Sequence, residues 1–274
     1  MLSLRKILRR FQSKESQQPT SPIFEGSQLE VFSGDYATWD DAKKNCSGYD
    51  SQHIFDKAKI SALAVRDGRA IFERDTVLFQ EEEFCWETLG CLMHVAATNN
   101  GCLRVLDFGG SLGTFYFQHK KFLKGLPSLC WSVVEQAHFV EFGASQLQDG
   151  VLRFSASLSE ACRDGVPEVI YFGSVLEYLA KPFSLLEEVF SCGVKNIIID
   201  RTGFLEGSLD RLTIQNVPPH IYEASYPAWF FSRSKFKALM LASGFNLNAE
   251  WVCKDEYSLD GAETSFRGFY YSKK

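Results

Sequence analysis

Asp107, Gly109, Gly110 and Gly113 stand within seven residues of a 274-residue chain, in the stretch RVLDFGGSLGTFYFQ (104–118). Val105 and Leu106 read as the end of a buried strand. The glycines read as a turn almost free of side chains, and Thr114, Phe115, Tyr116 and Phe117 as the start of a packed helix. Glycines let a backbone approach a ligand closely, and a helix N-terminus offers unpaired N–H groups and the positive end of a dipole. This order of elements predicts a ligand cradle.

The glycine spacing narrows the ligand. A dinucleotide fingerprint places glycines at positions one, three and six. Here they fall at one, two and five, with an acid two residues before the first. A carboxylate in such a turn repels a pyrophosphate but accepts hydrogen bonds from an ammonium group or from the loop's own N–H groups. S-adenosylmethionine carries an α-amino group and a carboxylate but no phosphate. Glu135 comes 22 residues after Gly113 and ends the apolar run WSVVE (131–135). An acid at the tip of the second strand suits the two hydroxyls of a ribose. The plainer alternative is an ordinary strand–helix turn with a buried Asp107 cap and a surface Glu135.

Asp107-x-Gly109-Gly110-x-x-Gly113 followed by Val134-Glu135 resembles the cofactor motifs of class I S-adenosylmethionine-dependent methyltransferases. Longer phrases resemble a bacterial methyltransferase family associated with surface-polysaccharide gene clusters. They are GYD (48–50), FERDTVLF (72–79), VLDFGGSLGTFYFQ (105–118), VVEQ (133–136), DRT (200–202) and DRLTIQNVPPHIYEASYPAWFFS (210–232). The resemblance implies S-adenosylmethionine as cofactor and methyl transfer as the activity. It also implies a sugar or polysaccharide precursor as acceptor, methylated at an oxygen.

Hydrophobic residues make up 45% of the chain and charged residues 23%, as in a soluble globular protein. The net charge of −5 excludes nucleic-acid binding by bulk charge. No apolar run reaches the length of a membrane span. The eight cysteines have no C-x-x-C pair and read as reduced core thiols of a cytoplasmic protein. Residues 1–14 (MLSLRKILRRFQSK) carry five basic residues and no acid, with Leu4, Ile7, Leu8 and Phe11 at helical spacing. One reading is a peripheral contact with an anionic membrane at its inner face; the plainer one is a frayed or packed helix.

Taken in order, residues 1–27 read as a basic segment and linker, 28–101 as a helical cap and 102–274 as a Rossmann-like core. Helices are expected from Asp40 to Gly48, from Gln52 to Val65 and from Glu83 to Thr98. Strands at 103–106, 129–134, 151–154, 168–172 and 194–199 alternate with helices and imply a mostly parallel α/β sheet. Two runs after the helix at 232–243, Asn246–Cys253 and Ser265–Ser272, imply a terminal antiparallel hairpin. That hairpin is the methyltransferase arrangement and differs from a dinucleotide-binding dehydrogenase.

Ligands of open α/β sheets bind at the carboxyl ends of the strands. The expected cofactor residues are therefore Asp107, Gly109, Gly110, Gly113, Glu135, Ser157 and Ser174. Ser157 is included because Ser-Ala-Ser (155–157) stands where related enzymes carry an acid for adenine. The stretch 201–231 reads as a long, aromatic, proline-stiffened acceptor lid, with Tyr226 and Trp229 suited to stacking on a sugar ring. His220 is the first candidate for the base that deprotonates an alcohol, with Asp200 and Asp210 as rivals. The cluster Phe72-Glu73-Arg74-Asp75 either lines the substrate mouth or is a solvated salt-bridge cluster. Two other readings stay open: a nicotinamide-dependent oxidoreductase on the same turn, and a binding module that keeps the cofactor fold without acceptor chemistry.

Overall fold

A computed structural model describes residues 31–46, 52–218, 224–254, 259 and 264–273. The basic segment 1–14, GYD (48–50), His220 and Tyr222 lie outside the described residues.

The chain enters through a two-residue strand, β1 (Phe32–Ser33), and a short helix, α1 (Trp39–Lys44). Thr38 caps that helix by accepting from the Asp41 N–H at 3.2 Å. Next come α2 (Gln52–Arg66), a hairpin of β2 (Phe72–Arg74) and β3 (Val77–Phe79), and α3 (Trp86–Thr98). The alternating part follows as β4 (Cys102–Phe108), α4 (Thr114–Leu123), β5 (Ser128–Val134), α5 (Ala137–Gln146), β6 (Leu152–Ser155) and the short α6 (Leu158–Ala161). It continues with β7 (Val169–Gly173), α7 (Pro182–Ser191) and β8 (Asn196–Leu205). Pro182 opens α7 with a preset φ where no N–H is needed. The last elements are β9 (Arg211–Asn216), β10 (Ser225–Ser232), α8 (Arg233–Ala242), β11 (Asn246–Val252) and β12 (Thr264–Ser272).

The central strands lie in the order β6-β5-β4-β7-β8-β12-β11. β6 to β8 are mutually parallel; β12 runs antiparallel to β8 and to β11. The core strands, the parallel sheet and the antiparallel terminal hairpin therefore agree with the sequence expectation. β4 is followed in sequence by β5 on one side and flanked by β7 on the other. The crevice outside that switch point is where such sheets bind ligands.

One expectation needs correction. The stretch 201–231 is not a long loop. β8 runs on to Leu205, past the end of β7, and β10 pairs with it there (Phe231↔Phe204). β9 pairs antiparallel with β10, and β1 with β9, so the stretch widens the sheet. Burial drives this: Leu212 and Ile214 pack on Ala42, and Ala228 and Phe230 on Phe32 and Phe266. The third helix packs on the sheet. Leu92 and Val95 of α3 share one core with Leu103 and Val105 of β4 and with Tyr270 of β12. Among the described residues no helix is long and apolar enough to cross a membrane, and all eight cysteines are free thiols.

Candidate functional site

The glycine turn joins β4 to α4 at the carboxyl edge of the sheet. Gly109 has φ +73°, and a Cβ there would lie 2.3 Å from Val175 Cγ2. A Cβ on Gly110 would lie 2.4 Å from the Asp107 carboxyl carbon. Both positions are thus closed to larger residues by the chain's own packing. The loop is stitched to the tip of β5: Gly109 N–H donates to Val134 O at 2.9 Å, and Ser111 N–H to Glu135 Oε1 at 3.3 Å. Gly113, at φ +89°, starts α4.

Asp107 lies beneath this loop and is 1% exposed. The Trp131 indole N–H on β5 donates to its Oδ2 at 3.0 Å. Oδ1 accepts no hydrogen bond among the described residues. Burial, and then the Glu135 charge, push the carboxyl up to about 7 against the Trp131 bond, which lowers it.

A cavity of about 140 Å³ opens between the loop, the ends of β7 and β8, and the β2–β3 hairpin. Asp107, Gly109, Gly110 and Ser174 line it, as do Glu73, Arg74, Asp75 and Thr76 of the hairpin. The charged cluster of the hairpin thus lines the mouth of the site. Six described residues other than glycine have positive φ, and five of them line this cavity: Asp75, Thr76, Ser111, Ser174 and Arg201. Such conformations cost about 1–3 kcal/mol each and gather at functional sites. Two hydrogen-bonding contacts tie the hairpin down. Glu73 accepts from Thr114 Oγ1 at the start of α4, and Arg201 approaches Asp75 Oδ2 at 3.5 Å.

Not every expected residue meets here. Glu135 does not line the cavity but accepts from Ser111 N–H, which does; burial raises its carboxyl, and the N–H groups of Gln136 and Ser111 oppose the rise. Gly113 and Ser157 do not line the cavity. Ser157 is exposed and caps α6, accepting from Glu160 N–H at 3.1 Å. Asp210 lies away from the cavity at the start of α8, where it accepts from Ser232 N–H at 2.8 Å and Lys235 Nζ at 2.6 Å. Asp200 is 3% exposed. It accepts from Thr88 Oγ1 at 2.7 Å, Trp251 Nε1 at 3.0 Å, Arg201 N–H at 3.0 Å and Cys253 Sγ at 3.3 Å. Four donors surround its carboxylate, as many as its lone pairs can take, so it reads as a tie between α3, β8 and β11 rather than as a base. The sugar-stacking expectation also changes. Tyr226 is buried with Ile54 and Val217, and Trp229 gives its indole N–H to Leu179 O at 3.1 Å.

Three buried groups were not among the expected cofactor or catalytic residues, Glu73 having been named only within the charged cluster at 72–75. Glu73 is 7% exposed and pushed by burial up to about 7. Tyr171 lines the cavity, its hydroxyl raised well above the usual range by burial. Glu177, pushed by burial up to about 8, accepts from Ser174 Oγ at 3.3 Å and Thr202 Oγ1 at 3.2 Å and so holds Ser174 in place. Tyr171 and Glu177 flank Gly173 and Ser174 in sequence, and the abrupt small pair after an apolar strand is the signal that could have marked them.

No protein-family model matches the chain, and no curated protein matches it. Solved structures similar to it include the N-terminal domain of EvdMO1 in the presence of S-adenosylhomocysteine and D-fucose. That likeness has 15% identity and a TM-score of 0.48 over 82% of this chain and 100% of that one. Another is a 1,6-didemethyltoxoflavin-N1-methyltransferase from Burkholderia thailandensis, with 14% identity and a TM-score of 0.44 over 83% and 92%. A third is the magnesium protoporphyrin IX methyltransferase of Synechocystis, with bound S-adenosylmethionine. It shares 12% identity at a TM-score of 0.45 over 80% and 97%.

Proposed function

We propose that the protein is an S-adenosylmethionine-dependent methyltransferase acting on an oxygen of a sugar or surface-polysaccharide precursor. One observation carries the cofactor assignment: Asp107 and Glu135, on adjacent strand tips, flank a glycine loop whose N–H groups bond to the second strand. The residues fit the group. Asp107 offers Oδ1 to an ammonium; Arg74, Thr76 and Ser174 line the same cavity and suit a carboxylate; Glu135, which accepts from the loop's Ser111 N–H, suits ribose hydroxyls. A dinucleotide is disfavoured, because a buried carboxylate under the loop meets the position of its pyrophosphate. The similar solved structures hold cofactors of the same class; the assignment rests on this chain's own site.

When bound, the cofactor supplies an electrophilic methyl group on a sulfonium. The chain's part is alignment and exclusion of water. The glycine loop fixes the cofactor's amino-acid end, Glu177 orients Ser174, and the hairpin covers the cavity from the other side. The acceptor approaches over the ends of β7 and β8, where Tyr171, Ser174 and Arg201 lie.

The test is transfer of labelled methyl from S-adenosylmethionine to nucleotide-sugars and lipid-linked glycans. Label recovered in a base-stable methyl ether supports the proposal. Label recovered only on nitrogen, or no transfer to any sugar, contradicts the acceptor assignment.

A further inference from the structure

The mechanism above uses Asp107 but leaves a second buried acid unexplained. Glu73 is carried by the β2–β3 hairpin, far from the glycine loop in sequence, yet both carboxylates line one cavity. Asp107 is 1% and Glu73 7% exposed. Neither makes an ion pair among the described residues. The arginines of the cavity lie near other acids: Arg74 at 3.6 Å from Glu83, and Arg201 at 3.5 Å from Asp75. Glu73 accepts from Thr114 Oγ1 and from Thr76 N–H at 3.2 Å; Asp107 is held by Trp131 through Oδ2 alone. Two buried acids without a counter-cation are costly when ionised. Their arrangement makes sense when the ligand brings the positive charge.

We propose that Glu73 completes the cofactor's amino-acid subsite, holding the α-ammonium of S-adenosylmethionine together with Asp107 across the cavity. This assignment rests on the cofactor reading above. It makes the hairpin part of the binding site. The strained Asp75–Thr76 turn and the Thr114 bond then serve to place one carboxylate. Thr114 ties that placement to the helix that starts at the glycine loop.

A linkage follows. Both acids are raised in the free protein, chiefly by burial; Asp75 adds to the rise at Glu73, and Glu135 to that at Asp107. The other charged or titratable groups of the cavity are Arg74, Arg201, Cys85 and Tyr171. The Cys85 thiol and Tyr171 hydroxyl are both raised by burial and stay neutral near pH 7. An arriving ammonium favours the ionised acids, so binding releases protons. Affinity therefore rises with pH up to about 7, by at most about tenfold per pH unit for each acid.

The experiment is calorimetric titration with S-adenosylhomocysteine and with 5′-methylthioadenosine, which lacks the amino-acid end. It is run between pH 5.5 and 7.5 in two buffers of different ionisation enthalpy, on the wild type and on Glu73→Gln. Expected are proton release with the homocysteine compound alone and its weakening by about 10-fold or more in the variant, the scale of a charged hydrogen bond. The methylthio compound should bind both proteins equally. Glu135 is common to both ligands, so its contribution cancels in the comparison. Unchanged affinity and proton release in Glu73→Gln would overturn the proposal while leaving the cofactor reading intact. Failure of the wild type to bind either compound would overturn the cofactor reading itself. If the variant binds neither, the wild-type titrations decide, and equal proton release with the two ligands overturns the proposal.

Discussion

The Trp131 indole on β5 donates to Asp107 Oδ2 on β4 at 3.0 Å, between two fully buried side chains of a parallel strand pair. This bond both positions the carboxylate under the glycine loop and opposes the effect of burial on its proton. Because the donor favours the ionised acid, its removal pushes the carboxyl further up.

Trp131→Phe should therefore destabilise the protein by about 2–4 kcal/mol, from lost packing volume and an unpaired acid. It should also move the pH dependence of cofactor binding to higher pH. Urea denaturation and a pH series of binding constants check both effects. A stability loss with an unmoved pH profile would contradict the role given to the bond.

Three buried acids should take stability from the ligand-free protein as pH rises from about 4 to about 8. Glu73 and Asp107 are raised to about 7 and Glu177 to about 8, all through burial. Unfolded, these acids ionise near pH 4. Their contribution is complete below that pH and is lost as pH rises through the folded values. Each group contributes a slope of at most about 1.4 kcal/mol per pH unit. Glu177→Gln should flatten the decline between pH 6 and 8. Thermal unfolding across that range checks this.

His119 acts in the opposite sense. It is fully buried, shares a hydrogen bond between Nδ1 and Phe115 O at 2.9 Å, and accepts from Cys85 N–H at Nε2 at 3.0 Å. Accepting at Nε2 requires the neutral ring, and burial holds it down to about 4. Its contribution is present above about pH 6.5 and is lost as pH falls through 4. His119→Phe should cost about 1–3 kcal/mol at pH 7, because Cys85 N–H loses its acceptor. The gap to the wild type should narrow at pH 5, and denaturation at the two pH values measures it.

Two glycines of the same chain should behave oppositely. Gly110→Ala places a methyl 2.4 Å from the Asp107 carboxyl and should abolish cofactor binding, with a loss of about 2 kcal/mol or more in stability. A Cβ on Gly125 meets nothing within 4 Å, so Gly125→Ala should leave binding unchanged and stability within about 0.5 kcal/mol. Parallel denaturation and binding curves compare them.

The regular part of the fold was legible because its signals are local. The apolar runs at 103–106 and 194–199, the stop at Gly125 and Pro127, and Pro182 at a helix start all act within a few residues. The candidate cofactor loop announced itself by its glycines. The hairpin at 72–79 did not. Its strands have three residues each, too few for periodicity, and Asp75 and Thr76 adopt positive φ without a glycine. β9 and β10 were hidden by Pro218, Pro219 and Pro227, which read as loop residues. Pro227 is tolerated because β10 pairs only with β9 at that position, its pairing with β8 beginning at Phe231. The roles of Asp200 and Glu73 depend on partners 112 and 41 residues away, Thr88 and Thr114. No spacing rule reaches that far.

The most direct test of the central claim is calorimetric titration of the purified protein with S-adenosylmethionine, S-adenosylhomocysteine and NADH, repeated on Glu135→Ala. The expected result is binding of both sulfur nucleotides, weakened by the substitution, and no binding of NADH. Binding of NADH alone would contradict it.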